Sequence, residues 1–181
     1  MTKKSSHMPK PSVFVVDVDG VMTDGKFLYS EHGKVFKVFG ADDADGLALL
    51  RSRLKIHFVS GDKRGFPITR KRIAEDMRYP LDMVSTVNRA KWIAERYPIN
   101  EVIYMGDGLL DHLVFREVMY GIAPANSSAV AIRFANHVTE RSGGDRAVAE
   151  ACLHILEMFF EPYEPEKDTP EKGIAFGEWT A

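Results

Sequence analysis

Polar and apolar positions along this chain follow two rhythms. Short, nearly unbroken apolar runs are each followed by a stretch in which apolar residues recur every three or four positions. Ser12 to Val18 (SVFVVDV), Lys55 to Ser60 (KIHFVS) and Glu101 to Met105 (EVIYM) read as strands buried on both faces, and Leu81 to Val84 and Met119 to Ile122 as weaker ones. Asp45 to Arg53, Phe66 to Met77, Arg89 to Arg96, Leu110 to Val118 and Asn126 to Phe134 carry helical spacing. The clearest helix is the last, where Ala147, Val148, Ala151, Cys152, Ile155, Leu156 and Phe159 form one stripe. Strand and helix in alternation predict an α/β fold, a Rossmann-like doubly wound parallel sheet with helices on both faces.

One segment departs from this alternation. Lys26 to Phe39 (KFLYSEHGKVFKVF) holds two β-rich runs around Glu31-His32-Gly33 and reads as a hairpin inserted after the first strand. Its apolar residues, Phe27, Leu28, Tyr29, Val35, Phe36, Val38 and Phe39, are too many for a ribbon with one face in water, so another subunit is expected to cover it. No stretch is long enough for a separate cap domain. The expected layout is one domain over 12–160, with loose ends at 1–11 and 161–181 that are rich in charge and proline.

Composition narrows the function classes. The chain has 181 residues, 45% of them hydrophobic, and 24 Lys plus Arg against 26 Asp plus Glu give a formal net charge of −2. That balance argues against a protein built to grip nucleic acid or an anionic membrane. A single cysteine, Cys152, excludes an internal disulfide and a cysteine-rich zinc site; it lies in the apolar stripe and is read as a packed residue. With neither a membrane-length apolar run nor an apolar leader after MTKKSSHMPK, the expectation is a cytoplasmic protein.

The candidate chemistry gathers at strand ends. In the run Asp17-Val18-Asp19-Gly20-Val21-Met22-Thr23-Asp24-Gly25, residues two apart leave the strand on the same side, so Asp17 and Asp19 reach the carboxyl edge of the sheet together. Two carboxylates so close call for a cation, and hard oxygen ligands suit Mg²⁺. The second strand stops at Ser60-Gly61-Asp62, offering a hydroxyl and a backbone N–H. A later strand stops at Gly106-Asp107-Gly108, with Asp111 one helical turn on. Lys91, near the start of the preceding helix, is the candidate phosphate cation, and Arg89 competes for that role.

In order and context, DVDGVMTDG, VSG, Lys91 and GDGLLD resemble the four motifs of the haloacid dehalogenase superfamily of phosphotransferases. With the inserted hairpin, FGADDADG and TERSGGDRAVAEACLHIL, the chain is similar over roughly 12–156 to the small capless branch that includes the 3-deoxy-D-manno-octulosonate 8-phosphate phosphatases and the nonulosonate 9-phosphate phosphatases. The resemblance implies that Asp17 is the nucleophile and Asp19 the general acid and base. It implies that Asp17, the backbone carbonyl of Asp19 and Asp107 hold Mg²⁺, and that Ser60, Gly61 and Lys91 hold the phosphoryl oxygens. Asp111 would orient Lys91 or a metal-bound water. It further implies a homotetramer and a phosphorylated sugar acid as substrate.

The chain also departs from that pattern. Gly108 stands where many relatives carry a second acid, Asp62 where octulosonate enzymes carry a basic residue, and Ala149 where the late motif has an arginine. Nine basic and three acidic residues between Arg51 and Arg78 form a local basic stretch. Lys63 and Arg64 lie nearest the Ser60-Gly61 edge and, with Asp62 and Arg146, are the candidate substrate contacts. Two other readings stand beside the phosphatase: a noncatalytic oligomerisation or regulatory module on the same fold, and a receiver-type domain. The latter is disfavoured because Lys91 precedes Asp107.

Overall fold

The computed structural model describes residues 10–168. The expectations for 1–9 and for 169–181 fall outside the described residues. Strand β1 (Val13–Asp17) is buried throughout and is followed by β2 (Leu28–Ser30), β3 (Gly33–Phe36), helix α1 (Asp42–Leu50) and β4 (Lys55–Ser60). Helix α2 (Phe66–Arg70) continues as a π-helical turn, Lys71–Asp76, into β5 (Leu81–Met83), α3 (Arg89–Ala94) and β6 (Val102–Met105). The chain then forms α4 (His112–Phe115), β7 (Tyr120–Ala123), α5 (Ala129–Phe134), β8 (His137–Val138) and α6 (Ala147–Phe159).

Six of the strands form one sheet in the order β5-β4-β1-β6-β7-β8, every pair parallel. Strand order reverses at β1, which is flanked by β4 and β6, and the crevice beyond the carboxyl ends of these strands is where such folds bind ligands. This is the doubly wound order with the first strand third from an edge. A receiver-type sheet runs 2-1-3-4-5, so that reading is set aside. Strands β2 and β3 pair antiparallel as a separate ribbon.

The period-two alternation of β1 builds two cores. Phe14 and Val16 face α1 and α6 through Leu47, Leu50, Val148, Ala151, Cys152 and Ile155. Val13 and Val15 face the other layer, with Trp92, Ile93, Tyr104, Val114 and Phe115. Helices α1 and α6 approach closely: a side-chain carbon on Gly46 would lie 2.6 Å from the Ala149 Cα. Asp43, fully buried on α1, accepts the Ala149 N–H at 3.0 Å and so caps the start of α6 from the neighbouring helix. It substitutes for a local cap, since Arg146 at the helix start is left-handed, with φ of 69°, and gives none.

Several boundaries differ from the sequence expectation for physical reasons. Helix α1 begins at Asp42 rather than Asp45, because three acids in its first turn suit the positive end of the helix although they carry no apolar signal. Helix α5 begins at Ala129 rather than Asn126, since the Ser128 hydroxyl accepts the Ala131 N–H and sets the start. Helix α4 is a single turn, and the two-residue β8 was not foreseen because so short a strand leaves no periodicity. Among the described residues, no helix is long and apolar enough to cross a membrane.

The α1–α6 contact makes a test of sign. In an exposed helix Gly→Ala stabilises by about 1 kcal/mol. Gly46→Ala is expected to destabilise instead, by about 1–3 kcal/mol, because its methyl meets backbone on α6. Thermal denaturation should show a fall in Tm of about 2–4 °C per kcal/mol; an unchanged or higher Tm would refute the close contact.

Candidate active site

The loop leaving β1 is shaped by its own glycines and by Thr23. The Thr23 hydroxyl accepts the Gly20 N–H at 3.2 Å and the Gly25 N–H at 3.3 Å, closing the run after Asp19 into a compact turn. Gly20 has φ of +91°, and a side-chain carbon there would lie 2.0 Å from Asp107 Oδ2. Only glycine fits, for both backbone and space. The carboxyl ends of β1 and β6 are thereby brought together, with Asp17 and Asp107 side by side.

Three carboxylates converge at this edge. Oxygens of Asp17, Asp107 and Asp111 lie within 4.8 Å of one another. Arg89 from α3 enters the group: its Nη1 and Nη2 donate to Asp17 Oδ2 and Oδ1 at 2.5 and 3.0 Å, and Nη1 also reaches Asp111 Oδ1 at 3.1 Å. Tyr104 accepts from Arg89 Nη1 at 2.7 Å and donates to Asp111 Oδ1 at 2.7 Å, while Asp111 Oδ2 accepts the Gly108 N–H at 2.7 Å. Asp111 therefore holds Arg89 in place with both of its oxygens engaged.

The electrostatics follow from crowding. Burial pushes Asp17 up to about 7, opposed by Arg89 and assisted by Asp111. Burial, then Asp17 and Asp111, push Asp107 to about 7. Burial works against the charge on Arg89, but Asp17, Tyr104 and Asp111 more than offset it and hold its pKa above the ordinary value. Three carboxylates against one guanidinium leave an excess of two negative charges, the complement of a divalent cation, and the donors are all hard oxygens. The residues fit such an ion.

The structure corrects the expectation for Lys91. Its side chain is 80% exposed and lies 3.8 Å from Glu95, on the solvent side of α3, whereas the Arg89 side chain is 2% exposed against Asp17. Two positions on an α-helix differ by about 200°, so the two residues point in opposite directions. Arg89, Trp92 and Ile93 share the buried stripe, whereas Lys91 and Glu95 form an i,i+4 surface pair. That phase is legible in the sequence and favours Arg89. The role left open for Asp111 accordingly falls on Arg89 rather than Lys91.

Ser60 is buried at the end of β4, donates to Asp19 Oδ2 at 3.0 Å and accepts the Asp62 N–H at 3.2 Å. A side-chain carbon on Gly61 would lie 3.7 Å from Arg89 Nη2, so the Ser60-Gly61 turn and the guanidinium are neighbours. Asp19 does not join the carboxylate group through its side chain; its other oxygen lies 2.6 Å from Lys37 Nζ. Asp62 is paired with two hairpin lysines, Lys34 at 2.5 Å and Lys37 at 3.0 Å. Arg146 is ion-paired with Asp42 at the start of α1, away from the carboxylate group. Lys63 and Arg64 remain exposed beside Gly61. Of the site's polar groups, Tyr104, Lys34, Lys37 and Thr69 were not foreseen: each lies in a segment whose apolar pattern drew attention to its neighbours.

No family model matches the chain. The 3-deoxy-D-manno-octulosonate 8-phosphate phosphatase of Salmonella typhi is 30% identical over 154 residues, covering 80% of this chain and 78% of that protein. The Yersinia pestis phosphatase of the same name is 27% identical in its crystal structure, with a TM-score of 0.69 and 81% of each chain covered. The Moraxella catarrhalis phosphatase of that name, solved with a magnesium ion, a phosphate ion and a KDO molecule, is 25% identical with a TM-score of 0.67, covering 81% of this chain and 86% of that one. The expected resemblance is thus met by sequence and by fold. This chain belongs to the 3-deoxy-D-manno-octulosonate 8-phosphate phosphatase family of the haloacid dehalogenase superfamily, a family of phosphoric monoester hydrolases.

Proposed function

We propose that the chain is a Mg²⁺-dependent phosphomonoesterase that hydrolyses a small phosphorylated sugar acid, 3-deoxy-D-manno-octulosonate 8-phosphate or a close analogue, through an aspartyl phosphate on Asp17. The observation that carries the reading is the meeting of Asp17, Asp107, Asp111 and Arg89 beside Ser60 and Gly61 at one sheet edge. The names of the relatives support the substrate class. A site this complete speaks against a noncatalytic module. Asp62, after Ser60-Gly61, favours a nonulosonate 9-phosphate as the second substrate to try.

Asp17 and Asp107, with the backbone carbonyl of Asp19, would hold Mg²⁺, which when bound neutralises phosphoryl charge. Asp17 attacks phosphorus while the bond to the leaving oxygen breaks, and Asp19 gives that oxygen its proton. Asp19 then takes a proton from the water that attacks the aspartyl phosphate, and the bond to Asp17 breaks. Ser60, the Gly61 N–H and Arg89 bind the phosphoryl oxygens, which requires Arg89 to yield part of its hold on Asp17. The exposed Lys63 and Arg64 attract the anionic substrate. The single free cysteine fits a reducing, cytoplasmic setting.

The hairpin supports a homotetramer with sites near the interfaces. Leu28, Tyr29, Phe36 and Val38 are exposed in the single chain, Phe36 by 61%, an apolar surface that another copy would cover.

Substitution, metal removal and particle size test this reading. Asp17→Asn should fold normally, by circular dichroism, and lose phosphate release by at least about 10³-fold. Activity of the unaltered protein on octulosonate and nonulosonate phosphates should disappear with EDTA and return with Mg²⁺; retained turnover in Asp17→Asn would sink the mechanism. Arg89→Met should lower turnover by about 10²–10³-fold and stability by about 3–5 kcal/mol, since it strands Asp17 and Asp111. Lys91→Ala, by contrast, should stay within about twofold of the unaltered protein, as a surface change does; the opposite ranking would restore Lys91 to the site. Light scattering should give four chains per particle and fewer for Phe36→Glu, and a stable, fully active monomer at micromolar concentration would end the tetramer proposal.

A further inference from the structure

The hairpin sends a charged side chain into the site. Lys37 follows directly on β3, and the alternation that turns Phe36 and Val38 outward turns Lys37 inward. Its side chain is 0% exposed, and the ammonium lies 2.6 Å from Asp19 Oδ1, 3.0 Å from Asp62 Oδ2 and 2.8 Å from the Thr69 hydroxyl to which it donates. The ammonium thus donates to one hydroxyl and is ion-paired with two carboxylates. Asp62 is held from its other oxygen by Lys34, whose ammonium lies 3.4 Å from the Phe27 ring centre. Gly65 makes room for this: a side-chain carbon there would lie 2.1 Å from Asp62 Oδ2 and 2.8 Å from Lys37 Cε.

A buried ammonium is costly unless its partners are fixed, so this arrangement has one geometry or none. Its consequence falls on Asp19. With Oδ1 on Lys37 and Oδ2 on the Ser60 hydroxyl, the Asp19 carboxylate is fixed at both ends, Oδ2 toward the Ser60-Gly61 turn. We infer that Lys37 is a positioning residue that holds the Asp19 carboxylate in line with the leaving oxygen of the substrate, so that the hairpin governs proton transfer rather than substrate binding. The inference rests on the role proposed above for Asp19. Asp19 acts as the acid once Oδ2 has taken up a proton from solvent and the Ser60 hydroxyl has turned to accept; Asp17 then bonds to phosphorus, the phosphorus–oxygen bond to the leaving group breaks and that proton passes to the departing oxygen. Lys37 remains an ammonium throughout and touches no reacting atom.

Leaving groups separate this role from simple structural support. An alkyl phosphate needs its departing oxygen protonated; p-nitrophenyl phosphate releases a stable phenolate that does not. Lys37→Met should lower kcat for β-glycerophosphate or the sugar-acid phosphate by about 10²-fold, the scale of lost general-acid assistance. KM should stay within a few-fold, and kcat for p-nitrophenyl phosphate should change by no more than about threefold on the same scale. Lys37→Arg should recover part of the loss. Thr69→Val, which keeps the ammonium but removes one of its three anchors, should show the same bias at smaller size and guards against a Lys37→Met protein that fails to fold. Equal losses on both substrates, or no loss on either, would overturn the role of Lys37 while leaving the phosphatase reading intact. Retained turnover in Asp17→Asn would instead overturn that reading.

Discussion

The structure depends on keeping a carboxylate charge buried at the end of a central strand. Asp17 closes β1 with little access to water, and an isolated carboxylate in such a place is too costly to remain ionised. The chain meets that cost with a guanidinium gripping both Asp17 oxygens, and then with Tyr104 and Asp111 gripping the guanidinium. Because Arg89 is one cation among three acids, the group is still short of positive charge. The same imbalance that makes the cluster an unfavourable resting arrangement suits it to a divalent cation.

Sheet geometry decides which residues can answer that demand. Asp17 continues the face of Val13 and Val15, so its side chain belongs to the layer containing α3 and Tyr104. Asp19 lies beyond the strand, in a loop folded back by Thr23, and meets partners from β4 and the hairpin instead. The two acids of one short motif are thus served by different elements: Asp17 by a helix of the main fold, Asp19 by an inserted ribbon. Gly20 and Gly65 are the places where these two arrangements pass through otherwise closed space. The ribbon that carries Lys37 inward carries Phe36 and Val38 outward, which links the Asp19 side of the site to the surface proposed to join subunits.

Periodicity made most of the fold legible. Near-continuous apolar runs marked β1, β4 and β6 to within one or two residues, and the α6 stripe was unmistakable. What escaped was structure whose cause is not periodic: the acidic first turn of α1, the serine cap of α5 and the two-residue β8. The acids of the site were legible because strand ends announce themselves. Its cations were less so: Lys91 was placed by resemblance to a motif and Arg146 by its closeness to Ala149, whereas helix phase and an ion pair to α1 decide where they sit, and nothing in the local pattern marked the hairpin lysines that hold Asp62.

The sequence by itself determined the fold class, the family and the carboxylates, since each is written in local pattern: a strand's alternation, a turn's glycines, acids two apart. Only tertiary structure decided that Lys37, 18 positions beyond Asp19, lies against it, and that Arg89, the residue helix phase favours over Lys91, meets Asp17. The physical reason is range. Backbone preferences and periodicity act over a few residues, whereas the pairing of buried charges is settled only when packing has fixed which side chains are removed from water together.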